Sequence, residues 1–154
     1  MKKLILCVIS VGLLVLDLWS KAVVQTSVGV NERIQVIPNF FYITYLKNTG
    51  SAWSLFEGLG PIVIVVSIVV ACVIAYYFVK QTNMVLLTGL ALAFAGNLGN
   101  LYDRVVFNFV RDMFSFNLFG YWFPVFNVAD ACMVIGVALV FIYTYLEDKK
   151  GGTL

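Results

Sequence analysis

Two short stretches place charge where an otherwise apolar sequence leaves little room for it: Gly99-Asn100-Leu101-Tyr102-Asp103-Arg104, running on to Asp112, and Phe126-Asn127-Val128-Ala129-Asp130. Asp130 is followed by Ala131 to Tyr145 without a single charge, so in a membrane helix it stands at or just inside the start. A carboxylate is costly in that setting, and ionisable residues inside membranes are functional candidates by default. Asp112 lies about eighteen residues upstream, close enough for the intervening loop to fold it back onto Asp130. Two facing carboxyl groups that share one proton can activate a water between them, because like charges in contact cannot both ionise. The chemistry expected is aspartyl hydrolysis at a membrane.

The rest of the chain has to carry those two groups. It is 154 residues long, 62% hydrophobic and 12% charged, with a mean hydropathy of +0.96, which excludes an ordinary soluble domain and predicts a polytopic membrane protein. Four spans of about 20 residues each leave room for one unit, 1–154, and no large domain outside the bilayer. There is no histidine, which removes Ser-His-Asp and Cys-His catalysis and His-containing metal sites. Cys7, Cys72 and Cys132 stand far apart in apolar runs and read as packing thiols, with neither a metal clip nor a disulfide framework. A net charge of +2 gives no argument for nucleic acid.

In chain order, Met1-Lys2-Lys3 precedes an apolar run without a small-residue cleavage site, so an uncleaved first helix is expected over about 4–24. Asp17 and Lys21 share a face near its far end, acid before base. They either neutralise each other at the membrane edge or point into the bundle and orient a substrate backbone. Residues 25–58 are rich in β-branched and aromatic types around a Pro38-Asn39 turn, which predicts a small extracytoplasmic sheet lying at headgroup level. Asn48-Thr49-Gly50 supplies a polar, small-residue turn that a main chain could approach.

A second span is expected over about 61–79 and a third over about 84–102, where Gly89, Gly96 and Gly99 allow close helix packing. Asn97 reads as interhelical glue. Asn100, Asp103 and Arg104 form a polar cluster at the helix end, where Arg104 could grip a carboxylate or carbonyl and is expected to pair with Asp103. The link 105–123 is aromatic and short-stranded and contains Asp112. The last span is expected over about 124–146, with Asn127 and Asp130 on one face of its start. Five basic residues fall on each side of such a bundle, but six of the eight acids lie on the side away from the termini, which favours cytoplasmic termini.

Five motifs, Asp17-Leu18-Trp19-Ser20-Lys21, Asn48-Thr49-Gly50-Ser51-Ala52-Trp53, Gly99-Asn100-Leu101-Tyr102-Asp103-Arg104, Val110-Arg111-Asp112 and Phe126-Asn127-Val128-Ala129-Asp130, closely resemble those of the lipoprotein signal peptidases, the bacterial type II signal peptidases, in order and spacing. The resemblance implies a mainly α membrane protease of four transmembrane helices with a small extracytoplasmic β-sheet platform, in the bacterial cytoplasmic membrane. It implies removal of the signal peptide from prolipoproteins before a diacylglyceryl-modified cysteine, with Asp112 and Asp130 as catalytic dyad near the extracytoplasmic face. Asp17, Lys21, Asn48, Gly50, Asn100, Asp103, Arg104 and Asn127 fall on the supporting and substrate-binding positions. No cofactor or metal is implied; prolipoprotein, membrane lipids and globomycin-type inhibitors are the expected partners. Leu18, Ser51, Trp53, Asn108 and Met113 depart from the common pattern, Asn108 taking a customary glycine position. The competing readings are a small proton-coupled transporter, disfavoured because the acids cluster at one membrane face, and a scaffold whose acids are paired with Lys21, Arg104 and Arg111.

Overall fold

The computed structural model describes residues 1–50, 60–149 and 151; Ser51 and Trp53 lie outside the described residues. Among the described residues, four helices are long and apolar enough to cross a membrane: α1 (Lys2–Ser27), α2 (Gly60–Lys80), α3 (Met84–Phe107) and α4 (Val128–Lys149). The strands are β1 (Arg33–Ile37), β2 (Phe41–Asn48), β3 (Val110–Leu118) and β4 (Tyr121–Trp122), in one antiparallel sheet of order β1-β2-β3-β4. The sheet sits at the end of the bundle where α1 and α3 finish and α2 and α4 begin. It draws half its strands from the link 105–123.

Helix α3 is the axis of the bundle. It is buried along most of its length, whereas α1 buries only Leu6, Asp17 and Lys21, α2 only Ser67, and α4 only Ala129, Cys132 and Gly136. Apolar side chains of α1, α2 and α4 face outward, as expected where lipid tails and not water surround the helices. Small residues bring α3 against α4: a Cβ at Gly96 would collide with the Ala129 carbonyl and come within 2.9 Å of the Met133 amide. Polar contacts tie the other two helices to α3. Asn97 Nδ2 donates to the Ser67 carbonyl of α2 at 2.9 Å, and Ser10 Oγ of α1 donates to the Ala91 carbonyl at 2.9 Å, which bears out Asn97 as interhelical glue.

The ends of α3 and α4 differ from the spans expected from hydropathy. At its start α3 is capped by Asn83, whose side chain accepts from the Val85 and Leu86 amides. It continues past Tyr102 to Phe107, because Asp103 and Arg104 find polar surroundings and need not end it. Asn108 then caps it in the left-handed region, φ 62°, with its N–H on the Arg104 carbonyl. Asparagine tolerates that conformation, so the departure from glycine at this position costs the backbone little. Helix α4 begins only at Val128, four residues later than the position of Pro124, because Asn127 supplies the cap.

Replacing Gly96 with Ala forces α3 and α4 apart at their tightest contact. The expected cost is about 1–3 kcal/mol, read as a fall in the apparent melting temperature of the purified protein in detergent. Unchanged melting would mean that the close approach is not needed.

Candidate active site

Asp130 occupies the third position of α4, and its place is set by a reciprocal cap. The Asn127 side chain accepts from the Asp130 amide at 2.9 Å, while Asp130 Oδ2 accepts from the Asn127 amide at 3.2 Å, the pattern of a capping box. The amide between them is satisfied from another helix: the Ala129 N–H donates to Asp17 Oδ1 at 2.8 Å. The first turn of α4 is thereby held by side chains of two segments distant in sequence.

Asp112 arrives on β3. Antiparallel pairing with β2 sets Leu46 opposite Asp112 and Asn48 opposite Val110, with a bulge between Ile43 and Leu46 that re-aims the strand next to the site. The two acidic segments are also joined through the backbone. The Met113 and Phe114 amides both donate to the Phe126 carbonyl, at 3.0 and 2.8 Å, and the Phe126 amide returns a bond to the Phe114 carbonyl at 3.2 Å. Rings of Phe114, Phe116 and Phe126 pack over this junction at centroid separations of 5.6 and 5.8 Å.

Asn127 then bridges the two carboxyl groups. Its Nδ2 donates to Asp112 Oδ1 at 2.7 Å, on top of the capping contacts with Asp130. Asn48 Nδ2 donates to Asp112 Oδ2 at 2.9 Å, and Asn100 Nδ2 donates to Asp130 Oδ1 at 2.7 Å. The orientation of the Asn100 amide is set by its other end: Oδ1 accepts from Lys21 Nζ at 3.0 Å and from Asn127 Nδ2 at 3.2 Å. Asp112 is only 1% exposed; burial, with the repulsion of nearby Asp130, outweighs the amide donors and pushes its carboxyl up to about 7.

Of the two readings of Asp17 and Lys21, the structure takes the one inside the bundle. Their side chains form an ion pair at 2.7 Å and are 2% and 0% exposed. Gly99 makes room for it, since a Cβ there would stand 2.5 Å from Asp17 Oδ2. So enclosed, the pair braces α1, α3 and α4.

The partner of Asp103 differs from expectation. Adjacent residues on a helix do not face each other, and Arg104 turns instead toward the Asn100 carbonyl at 3.4 Å. Asp103 grips Arg111, which the motif reading had not counted among the site residues. Arg111 gives its backbone amide to Asp103 Oδ2 at 2.9 Å and its Nη2 to Oδ1 at 2.7 Å, and sends Nη1 to Gln25 Oε1 at 2.9 Å. The guanidinium stacks 4.4 Å from the centre of the Phe107 ring. Lys21 also approaches Asp103, at 3.4 Å. Because successive strand residues point to opposite faces, holding Arg111 on one face of β3 aims Asp112 out of the other.

Arg104 is left to line a cavity of about 440 Å³ shared by Asn48, Gly50, Pro61, Ile64 and Phe109, within the size range of ligand sites. Gly50 lies there at φ 90°, with its amide on Asn48 Oδ1 at 2.9 Å. Among the described residues no cluster of acids or thiols could hold a metal. Replacing Arg111 with Met leaves Asp103 buried with only a shared ammonium, and the expected loss is about 3–5 kcal/mol. Adding Asp103→Asn should recover part of it, since the pair is then removed together; a double variant as unstable as the sum of the two single ones would overturn the pairing.

Comparison with known proteins gives the family. The family model described as "Signal peptidase (SPase) II" matches residues 9–146. The lipoprotein signal peptidase of Enterococcus faecalis is 39% identical, with 94% of this chain and 93% of the relative covered. That of Staphylococcus haemolyticus is 35% identical, covering 93% and 91%. Two solved structures titled bacterial membrane enzymes superpose with TM-scores of 0.83 and 0.86 at 34% and 32% identity, covering 89% and 96% of this chain and 90% and 91% of theirs. With a fold and a sequence that match over nearly their whole length, this chain belongs to the lipoprotein signal peptidase family, the type II signal peptidases.

Proposed function

We propose that this chain is an aspartic endopeptidase that removes the signal peptide from diacylglyceryl-modified prolipoproteins, cutting before the lipidated cysteine with Asp112 and Asp130 as its dyad. The observation that carries the proposal is the single residue Asn127, hydrogen-bonded to both carboxyl groups. A water held between two groups so close can be deprotonated by one and have its target polarised by the other.

The roles follow from the surroundings. Asp130 is the base: it stands at a helix start, where the peptide dipoles favour an anion. Asp112, enclosed and drawn toward neutrality, holds the proton. Asp130 takes a proton from water as the new C–O bond forms, and the carbonyl oxygen takes the proton of Asp112. The tetrahedral diol then returns a hydroxyl proton to Asp112 while Asp130 protonates the departing amide nitrogen and the C–N bond breaks. Both carboxyl groups regain their starting states. Asn48 and Asn100 each keep one carboxyl in position, as fixed dipoles do without reorganising.

Arg104 and Gly50 belong to the substrate-binding wall, which a peptide backbone and globomycin-type inhibitors would share, and Asp17, Lys21 and Asp103 to the support behind it. The termini lie on the cytoplasmic side and the dyad near the extracytoplasmic surface, where water reaches the scissile bond while the acyl chains of the substrate stay in the bilayer.

Asp112→Asn and Asp130→Asn should each abolish cleavage of a diacylated precursor peptide by the purified protein while binding persists; parental rates in both would sink the dyad. Activity requires Asp112 protonated and Asp130 ionised, so the rate should fall as pH rises through about 7, where Asp112 loses its proton, with the limb read as a property of the coupled pair. The sign for stability is the same. A carboxyl raised from 3.8 to about 7 contributes stability that is complete below about 3.8 and lost as pH rises through about 7. A rate still climbing well above pH 8 would assign the proton elsewhere.

A further inference from the structure

At the end of the bundle opposite the sheet, α1 and α2 flank α3 without closing on each other, leaving a groove of about 220 Å³ on the outer surface. Cys7 and Val11 of α1, Ile74 and Phe78 of α2, and Leu90 and Phe94 of α3 line it. On α1 its lining runs from Cys7 to Val11, about 6 Å for the four intervening steps, with Lys3 one turn beyond Cys7, and so it ends partway through the bilayer. Its mouth is cationic. Lys3 Nζ donates to the Val79 carbonyl at 2.7 Å and stands 6.0 Å from the Phe78 ring centre, which holds the ammonium over the opening. Lys80, 5.9 Å from the Tyr76 ring centre, and exposed Lys2 add positive charge at the same end of the bundle, on helix faces turned away from the groove. None of the described residues lining the groove is acidic. The acids nearest that end in sequence, Glu147 and Asp148, belong to α4, which packs on the other face of α3 at Gly96 and Gly136.

We infer that this groove is a binding site for one anionic phospholipid of the leaflet opposite the sheet, an acyl chain lying in the groove and the phosphate meeting Lys3. The dimensions select the occupant. A space of about 220 Å³ is too small for an apolar helix about 10 Å across and takes a single hydrocarbon chain. The charges select the headgroup, since basic pockets between helices at the membrane surface attract acidic lipids. The site lies far from Asp112 and Asp130 and is independent of the proposed chemistry.

The test is thermal unfolding of the purified full chain in detergent, with phosphatidylglycerol or phosphatidylcholine of identical acyl chains added. Phosphatidylglycerol should raise the melting temperature by about 3 °C or more beyond phosphatidylcholine, while glycerophosphate alone should not. Lys3→Gln should remove the difference by removing the cation, and Ala75→Trp by filling the groove. Equal shifts from the two lipids, a full shift from glycerophosphate, or an undiminished preference in both variants would each overturn the site. A preference lost in Ala75→Trp while Lys3→Gln keeps it would overturn the phosphate contact.

Discussion

The structure depends on one constraint: charge placed inside a membrane bundle must be neutralised within the bundle. Asp17, Lys21, Asp103 and Arg111 form a continuous row of alternating sign, linked at 2.7, 3.4 and 2.7 Å, with equal numbers of anions and cations. Taking such groups out of water is expensive, and the row repays it by having partners from α1, α3 and β3 at every step. It fastens the first helix, the central helix and a strand into one body. The two carboxyl groups are attached to that body at three points, through Asn100 on Lys21, through the Ala129 amide on Asp17 and through the peptide link between Arg111 and Asp112.

The two catalytic candidates, alike in chemistry, differ in surroundings. Asp130 stands at the open end of a helix and is partly exposed; Asp112 is enclosed by a strand and by two amide side chains. Amide groups suit this surrounding because they donate to a carboxyl whether or not it carries a proton, and they add no charge of their own. Lys21 fixes which end of Asn100 faces Asp130.

Much of this was legible in the residues. Asp112 and Asp130 stood out because an apolar chain without histidine has few other groups able to move protons, and Asn48, Asn100 and Asn127 sit near them in short polar motifs. What the motifs could not reveal was pairing across a turn. Asp103 is adjacent to Arg104 and eight residues from Arg111, yet the helix continues to Phe107 and reverses at Asn108, which carries Arg111 back alongside Asp103. Hydropathy also placed helix ends where apolarity fades, whereas hydrogen bonding sets them: Asn127 caps α4 after Pro124 has passed, and α3 outlasts its apolar stretch because its polar residues are satisfied sideways. Half of the sheet lay in the segment between the last two spans, where aromatic content hinted at strands without giving their partners.

The pairing of β2 with β3, and of Phe114 with Phe126, has a consequence for biogenesis. The strand bearing Asp112 joins one made more than sixty residues earlier, and the residue that bridges the dyad is the cap of the final span. During synthesis, three hydrophobic segments must already have been threaded into the bilayer before either carboxyl meets its counterpart. On the proposed dyad, a nascent chain is therefore hydrolytically silent until its last segment leaves the ribosome and integrates.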